Sequence, residues 1–348
     1  MKLKPIRYVS ALICVVTLLT TGAGAEAATG PSQPAGPYFA YLPNVNGQYT
    51  FSYGISRYMS TVNVATLQGL GCQEGQRTAS GATALVILDF GQPIYDGSTG
   101  RYGSWIFNGS FASTGDIAAA AEGYLNSFYL CSPPGAMLRL VIGTSNYRGQ
   151  TDFVGDWTAH GAAWAQMINS ISAWITAPPS IASKVSVRGG NDFEPWNSYS
   201  TPALARNWID GYTSAYTGTS YVYNYGACSG CPYFDYPNMT PGNGWTLEDI
   251  WYVSYGAKPA WPVPEIYWSY GAHADQWYRM SLYGYNNHGT PMYFIGSLTQ
   301  WQACQDVGCS FSNNTPQGGW NQLFSALNSN TITAQKTGWA TDITWKNY

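Results

Sequence analysis

Between Lys184 and Trp196 the chain reads KVSVRGGNDFEPW. Two carboxyl groups, Asp192 and Glu194, follow a pair of glycines and are closed off by Pro195 and Trp196. Aromatic neighbours keep water from a carboxyl and raise its pKa toward that of a general acid, which marks Glu194, between Phe193 and Pro195, as a proton donor. Cleaving a glycosidic acetal needs a second carboxyl across the bond, to attack carbon or to activate water. Acidic residues are few, 18 in the whole chain, so few candidates compete. Those at predicted strand ends are Asp89, Asp192, Glu194, Glu265 and Asp342. Each has a plainer reading: Asp89 as a turn cap, Asp192 as the ion-pair partner of Arg188.

Carboxyls at strand ends do chemistry together only if the strands are parallel and share a rim. Val185–Val187 is a short β-branched strand broken by Gly189 and Gly190. Ala84–Phe90 and Ala136–Ile142 are apolar throughout, as strands buried on both faces of a parallel sheet must be. Further strands are predicted at 48–56, 220–225, 250–255, 292–295 and 340–345. Helices are predicted at 117–128, 157–175, 201–216, 272–283 and 320–327, the second on apolar residues at three- and four-residue spacing. Strands and helices that alternate in this way predict an α/β fold, a single-domain (β/α)₈ TIM-type barrel over residues 48–348. Its catalytic rim is the carboxyl-terminal one. The alternative, a doubly wound open sheet, would carry a glycine-rich phosphate loop after its first strand, and none stands there.

Around the candidate carboxyls lie residues suited to bind a sugar: Arg188, Asn146 and Asn224 near strand ends, and the rings of Trp196, Trp261, Tyr267, Trp268 and Tyr270. Trp105 and Trp301 fall in other predicted rim loops, and Arg57 near another strand end. Rings stack on the C–H faces of sugars, and they also fill cores.

Two short stretches resemble a known family. Asn191-Asp192-Phe193-Glu194-Pro195 resembles the Asn-Glu-Pro signature at the end of strand four in the largest clan of barrel glycoside hydrolases. That resemblance implies Glu194 as acid/base. Asp192 and Phe193 separate Asn191 from Glu194, so the family's asparagine role does not carry over. Val263-Pro264-Glu265-Ile266-Tyr267-Trp268 is similar to the clan's strand-seven segment, which implies Glu265 as nucleophile, although here it falls in a Pro-rich excursion after the sixth predicted strand.

Composition narrows the classes further. Lys2, Lys4 and Arg7 precede an apolar run from Ala11 to Leu19 and small residues at Ala23, Ala25 and Ala27, the pattern of a secretory signal peptide over residues 1–27. An extended lead, 28–47, follows. Export is the expected localisation, secreted or extracellular. Without residues 1–27 the net charge of −3 becomes −5, and no basic run exists, which argues against nucleic acid and anionic membrane as partners. Charged residues make up 9% of the chain, against roughly 25% in ordinary soluble proteins, while Tyr numbers 28 and Trp 15. A neutral polar and aromatic surface suits an oligo- or polysaccharide partner. A monomer is expected.

Six cysteines remain after Cys14 leaves with the signal, and an exported chain pairs them. Proximity favours Cys228 with Cys231 and Cys304 with Cys309, which leaves Cys72 with Cys131. A redox role for Cys228-Ser229-Gly230-Cys231 lacks a thioredoxin-like context, and His160, His273 and His288 lack metal spacing. No serine stands in a nucleophile elbow, so esterase and metallohydrolase readings are set aside, and no cofactor or metal is expected. The reading is a secreted glycoside hydrolase-like barrel; the alternative is a non-catalytic, glycan-binding or cell-wall-associated barrel of the same form.

Overall fold

The structure is a computed structural model that describes residues 51–147, 155–196, 199–218, 221–309 and 312–344. The predicted signal segment, the lead, the start of the first predicted strand and Trp345 lie outside the described residues. In chain order the strands are β1 (Ser52–Tyr58), β2 (Thr83–Asp89), β3 (Gln92–Asp96), β4 (Arg101–Trp105), β5 (Phe111–Ser113), β6 (Met137–Ser145), β7 (Val185–Asp192), β8 (Val222–Asn224), β9 (Ala260–Pro262), β10 (Gly296–Thr299) and β11 (Trp339–Thr344). The helices are α1 (Val64–Arg77), α2 (Thr114–Cys131), α3 (Trp157–Thr176), α4 (Pro202–Ala215), α5 (Leu247–Trp251), α6 (Ala272–His288), α7 (Trp301–Val307) and α8 (Pro316–Asn328).

Eight strands form one parallel sheet in the order β10-β11-β1-β2-β6-β7-β8-β9. Its ends meet through a bridge between Glu265 and Leu298 and through backbone bonds from Ile295 N–H to Pro262 O (3.0 Å) and Leu298 N–H to Pro264 O (2.8 Å). The chain is a (β/α)₈ barrel, as the alternation of elements predicts. Two residue sets fill it. Ala84, Val86, Leu88, Leu140, Ile142, Val185 and Val187 face outward and pack under Ile117, Tyr124, Trp164, Ile168 and Trp208 of the helices. Leu85, Ile87, Val141, Tyr223, Tyr225, Val263, Leu298 and Ile343 face inward and fill the lumen.

Three disulfides are present, Cys72–Cys131, Cys228–Cys231 and Cys304–Cys309, the pairing that proximity favours. The first joins α1 to α2.

Several elements differ from expectation. Residues 250–255, predicted as the sixth strand, are helical: α5 runs into a π-helical turn at Tyr252–Gly256. Thr246 caps α5 by accepting from Asp249 N–H (3.1 Å) while the Asp249 carboxylate accepts from Thr246 N–H (2.9 Å). The sixth barrel strand is β9, inside the stretch whose prolines read as an excursion. The seventh begins at Gly296, just beyond the predicted 292–295. The sequence also shows little periodicity over 62–71, where α1 begins, and does not mark helix α7 or the small antiparallel sheet β3-β4-β5 inserted between β2 and α2.

Candidate active site at the carboxyl-terminal mouth

Side chains alternate along a strand, so the inward set that fills the lumen continues to the strand ends. On β2, Leu85 and Ile87 are followed by Asp89; on β7, Gly190 by Asp192; beyond β9, Val263 by Glu265. All three carboxyls are buried, Asp89 at 1%, Glu265 at 6% and Asp192 at 9% exposure. Glu194 belongs to the loop after β7, and Asn146 fixes that loop. Its Oδ1 accepts from Glu194 N–H (3.0 Å), and its Nδ2 donates to Glu194 O (3.1 Å) and to Ser200 Oγ (3.1 Å). A second amide, Asn224, sits beneath: its Oδ1 accepts from Phe193 N–H (3.3 Å) and Gly226 N–H (3.1 Å), and its Nδ2 donates to Ser254 Oγ (2.6 Å).

Each carboxyl resists ionisation. Burial pushes Glu194 up to about 7, against hydrogen bonds from Tyr199 and Trp196 that favour the carboxylate. Burial pushes Asp89 up to about 7 as well, opposed by the Gly91 N–H (2.7 Å) and the Tyr225 hydroxyl. Asp192 is held well above the ordinary aspartate range, by burial first and then by the charges of Glu194, Glu265 and Asp89. Glu265 is raised likewise, by burial and then Glu194, while the Tyr267 hydroxyl donates to its Oε1 (2.6 Å) and works the other way. Four phenols complete the wall. Tyr58, Tyr199, Tyr225 and Tyr267 all have pKa values raised well above normal, by burial and then by these carboxylates. They are therefore neutral hydrogen-bond donors at any working pH.

Tyr225 lies across the lumen because two neighbours lack a side chain. A Cβ on Gly143 would collide with the Tyr225 hydroxyl, and one on Gly190 would come within 2.9 Å of its ring. The hydroxyl so placed lies between the Asp89 carboxyl and Thr144 O (3.1 Å), with one proton to share between them.

No protein-family model and no curated protein matches this chain. Solved structures do. One is a sugar phosphate isomerase/epimerase from Parabacteroides distasonis ATCC 8503, 12% identical over 89% of this chain and 91% of that one, with a TM-score of 0.38. A likeness that distant carries no argument about this chain's chemistry, and the barrel rests on the strand register itself. The glycoside hydrolase clan suggested by the short resemblances is not shown. Val263–Trp268 in fact ends the sixth barrel strand, not the seventh.

The remaining sequence candidates separate. Asp89, Asp192, Glu194 and Glu265 come to one mouth, and Trp196 stands there 53% exposed. Trp268 lies beyond Glu265, packed on Tyr270 (5.3 Å between centroids) and His273 (4.3 Å). Asn146 and Asn224 reach the mouth with their amides already engaged by backbone and serine. Arg188 does not reach it. It faces inward four residues before Asp192, about 13 Å lower at strand rise, with Tyr223, Arg139 and Tyr216 around its guanidinium. Trp261, inward on β9 beside Tyr223, is also at that lower end, against Tyr221 (4.3 Å). Arg57 turns outward to Glu74 of α1 (3.8 Å). Asp342 accepts from the N–H groups of Trp301 (2.8 Å) and Gln302 (3.0 Å), capping α7.

Three site tyrosines, Tyr58, Tyr199 and Tyr225, escaped the sequence reading. For Tyr58 and Tyr225 a signal existed, since each is an aromatic residue at the end of a barrel strand. His160 is structural: its Nδ1 accepts from Trp208 Nε1–H (2.9 Å), so its Nε2–H donates to Gly103 O (2.8 Å) and ties β4 to α3 and α4. Among the described residues no group of three or more His, Cys, Asp or Glu side chains is arranged to hold a metal ion.

Proposed function

We propose that this chain is a secreted glycoside hydrolase whose carboxyl cluster cleaves a glycosidic bond laid over the carboxyl-terminal mouth. The observation that carries this reading is the meeting at one mouth of buried Asp192 and Glu265 with half-buried Glu194, all three with raised pKa values and mutual repulsion. Carboxyls that repel one another in low dielectric do not all ionise at neutral pH, so the cluster holds a proton and a carboxylate together. Acetal cleavage uses that pair.

Glu194 is the proton donor in this reading. Its pKa near 7 lets it hold a proton at working pH and give it up readily. Asn146, gripping the Glu194 backbone from both sides, fixes where the proton is delivered. Glu265 is the partner that must ionise to act as nucleophile or as base toward water, against the burial and the Glu194 charge that raise its pKa. The Tyr267 hydroxyl, donating to Oε1, steadies its negative charge, and His273 Nδ1 accepts from Tyr267 N–H (3.1 Å) and so orients that tyrosine. Exposed Trp196 offers a ring on which a sugar face can stack.

The test is release of reducing ends from a panel of soluble glycans. Wild-type protein should turn over at least one of them, and Glu194→Gln should lower that rate by roughly two to four orders of magnitude with unfolding temperature unchanged. An aryl glycoside with a good leaving group should suffer less, because its departing oxygen needs little protonation. Binding without release of reducing ends by the wild type would replace this reading with that of a glycan-binding barrel.

A further inference from the structure

Four carboxyls and four phenols gather at the carboxyl-terminal mouth, and the charges acting on them have one sign. Among the described residues, no Lys, Arg or His is among the charges that shift Asp89, Asp192, Glu194 or Glu265. His273, the imidazole behind Tyr267, is held neutral by burial, its pKa down to about 3. The internal hydrogen bonds are also unevenly shared. Asp89 has the Gly91 amide and Tyr225; Glu194 has Tyr199 and Trp196; Glu265 has Tyr267. Asp192 is nine-tenths buried, faces the lumen mouth, and its Oδ1 has no hydrogen-bond partner among the described residues. A buried carboxyl oxygen left without a donor stands in want of one.

We propose that the glycan taken by this cleft carries a free amino group, and that Asp192 receives its ammonium. The assignment rests on the glycosidase reading of the same mouth and deepens it by naming the substrate class: amino sugars with the nitrogen unacylated. An ammonium supplies the donor that Asp192 Oδ1 lacks through a charge-assisted bond, the stronger kind. It also supplies the positive charge that the cleft lacks, in a place where water screens poorly. A neutral sugar hydroxyl would provide the bond without the charge. A uronate or a sulfated sugar would add to the repulsion and be refused. On binding, the same ammonium favours loss of the Asp192 proton to water, and an ionised Asp192 beside Glu194 holds the proton on Glu194, where leaving-group protonation needs it. Anchoring and acid catalysis are then one electrostatic arrangement.

The experiment compares three oligosaccharide sets of equal length, in α and β linkage: glucosamine oligomers, their N-acetylated counterparts and plain glucose oligomers. Binding is read by calorimetry on the hydrolytically crippled Glu194→Gln protein, and kcat/KM by reducing-end release on the wild type. The expected result is tighter binding and faster cleavage of the glucosamine set by about tenfold or more, with Asp192→Asn reducing that preference to within about twofold. The preference itself is read on unaltered wild-type protein, so the outcome does not hang on how Asp192→Asn folds. Equal or better use of the acetylated or plain oligomers would overturn the assignment to amino sugars while leaving the glycosidase reading in place. Neither binding nor cleavage of any set would overturn both. A glucosamine preference that survives intact in a folded Asp192→Asn protein would overturn the role given to Asp192.

Discussion

The two mouths of the barrel are built on the same strands and carry opposite charge. At the carboxyl ends, Asp89, Asp192, Glu194 and Glu265 gather among phenols. Toward the amino ends, Arg188 and Arg139 share the lumen with aromatic rings: Arg139 donates to Tyr223 Oη (2.9 Å) and lies over the Trp339 ring at 4.8 Å. Both ends bury like charges close together, yet they treat them differently. Guanidinium groups keep their charge at any ordinary pH and settle onto ring faces and a phenol oxygen, which makes the lower end a plug. Carboxyls answer the same crowding by taking up protons, which makes the upper end a reservoir that can give one away. Like charge crowded into a barrel becomes reactive only where the group can titrate near neutrality.

Four measurements bear on that contrast. Largest is the loss expected at the upper mouth: Glu265→Gln should reduce turnover by at least about a hundredfold, and near-wild-type turnover would move the search for the second carboxyl to Asp89 and Asp192. Next is the stability of Asp89→Asn against wild type as a function of pH. The folded pKa of Asp89 is raised from 3.8 to about 7, so its share of stability is present below about pH 4 and is lost as pH rises through 7. The loss totals about 4 kcal/mol for a shift of that size. Denaturant unfolding at pH 4 and pH 8 should therefore show the variant gaining on wild type toward alkaline pH. Buried, neutral His160 and His273 slope the opposite way below about pH 6.5, but they are common to both proteins and cancel in the difference. A flat difference would mean that Asp89 ionises normally.

Smaller is the effect of Asn146→Ala, which frees the Glu194 loop without touching substrate. A fall of roughly ten- to a hundredfold in kcat with KM little changed is expected; a loss confined to KM would make Asn146 a binding residue. Smallest is Arg188→Gln. Activity should stay within about twofold of wild type, since the side chain lies at the other end of β7. A loss matching that of Glu265→Gln would erase the distinction between the mouths.

Arg188 also shows where the sequence was legible and where it was not. The stretch 184–196 marked β7 and two of the four clustered carboxyls, and the runs at 84–90 and 136–142 marked β2 and β6, because apolar runs, glycines and acids are local signals. Depth along the lumen is not local. Arg188 and Asp192 share one face of one strand, and only the sheet register separates top from bottom. The prolines at 259, 262 and 264 read as an excursion because proline gives the ladder no N–H. Here the ladder to β10 uses the carbonyls of Pro262 and Pro264, so the strand survives and Glu265 is at its end. Helix α1 was hidden for another reason. Its contact with α2 is made at Gly71, where a Cβ would collide with Tyr124 O, and close backbone packing of that kind leaves no apolar stripe to read. In 250–255, apolar residues outweighed the Thr246 and Asp249 capping box that announces a helix.

The ring of Tyr225, passing over Gly143 and Gly190, makes the barrel a cup with a floor. On the proposed glycosidase reading, such a floor would keep a sugar chain from threading through, and a polymer would lie along the brim with one linkage dipped toward the acids. Tyr225 shares that floor with Leu85, Ile87, Val141, Val263, Leu298 and Ile343. Filling in either glycine would push the Tyr225 ring out of its place and so move the floor.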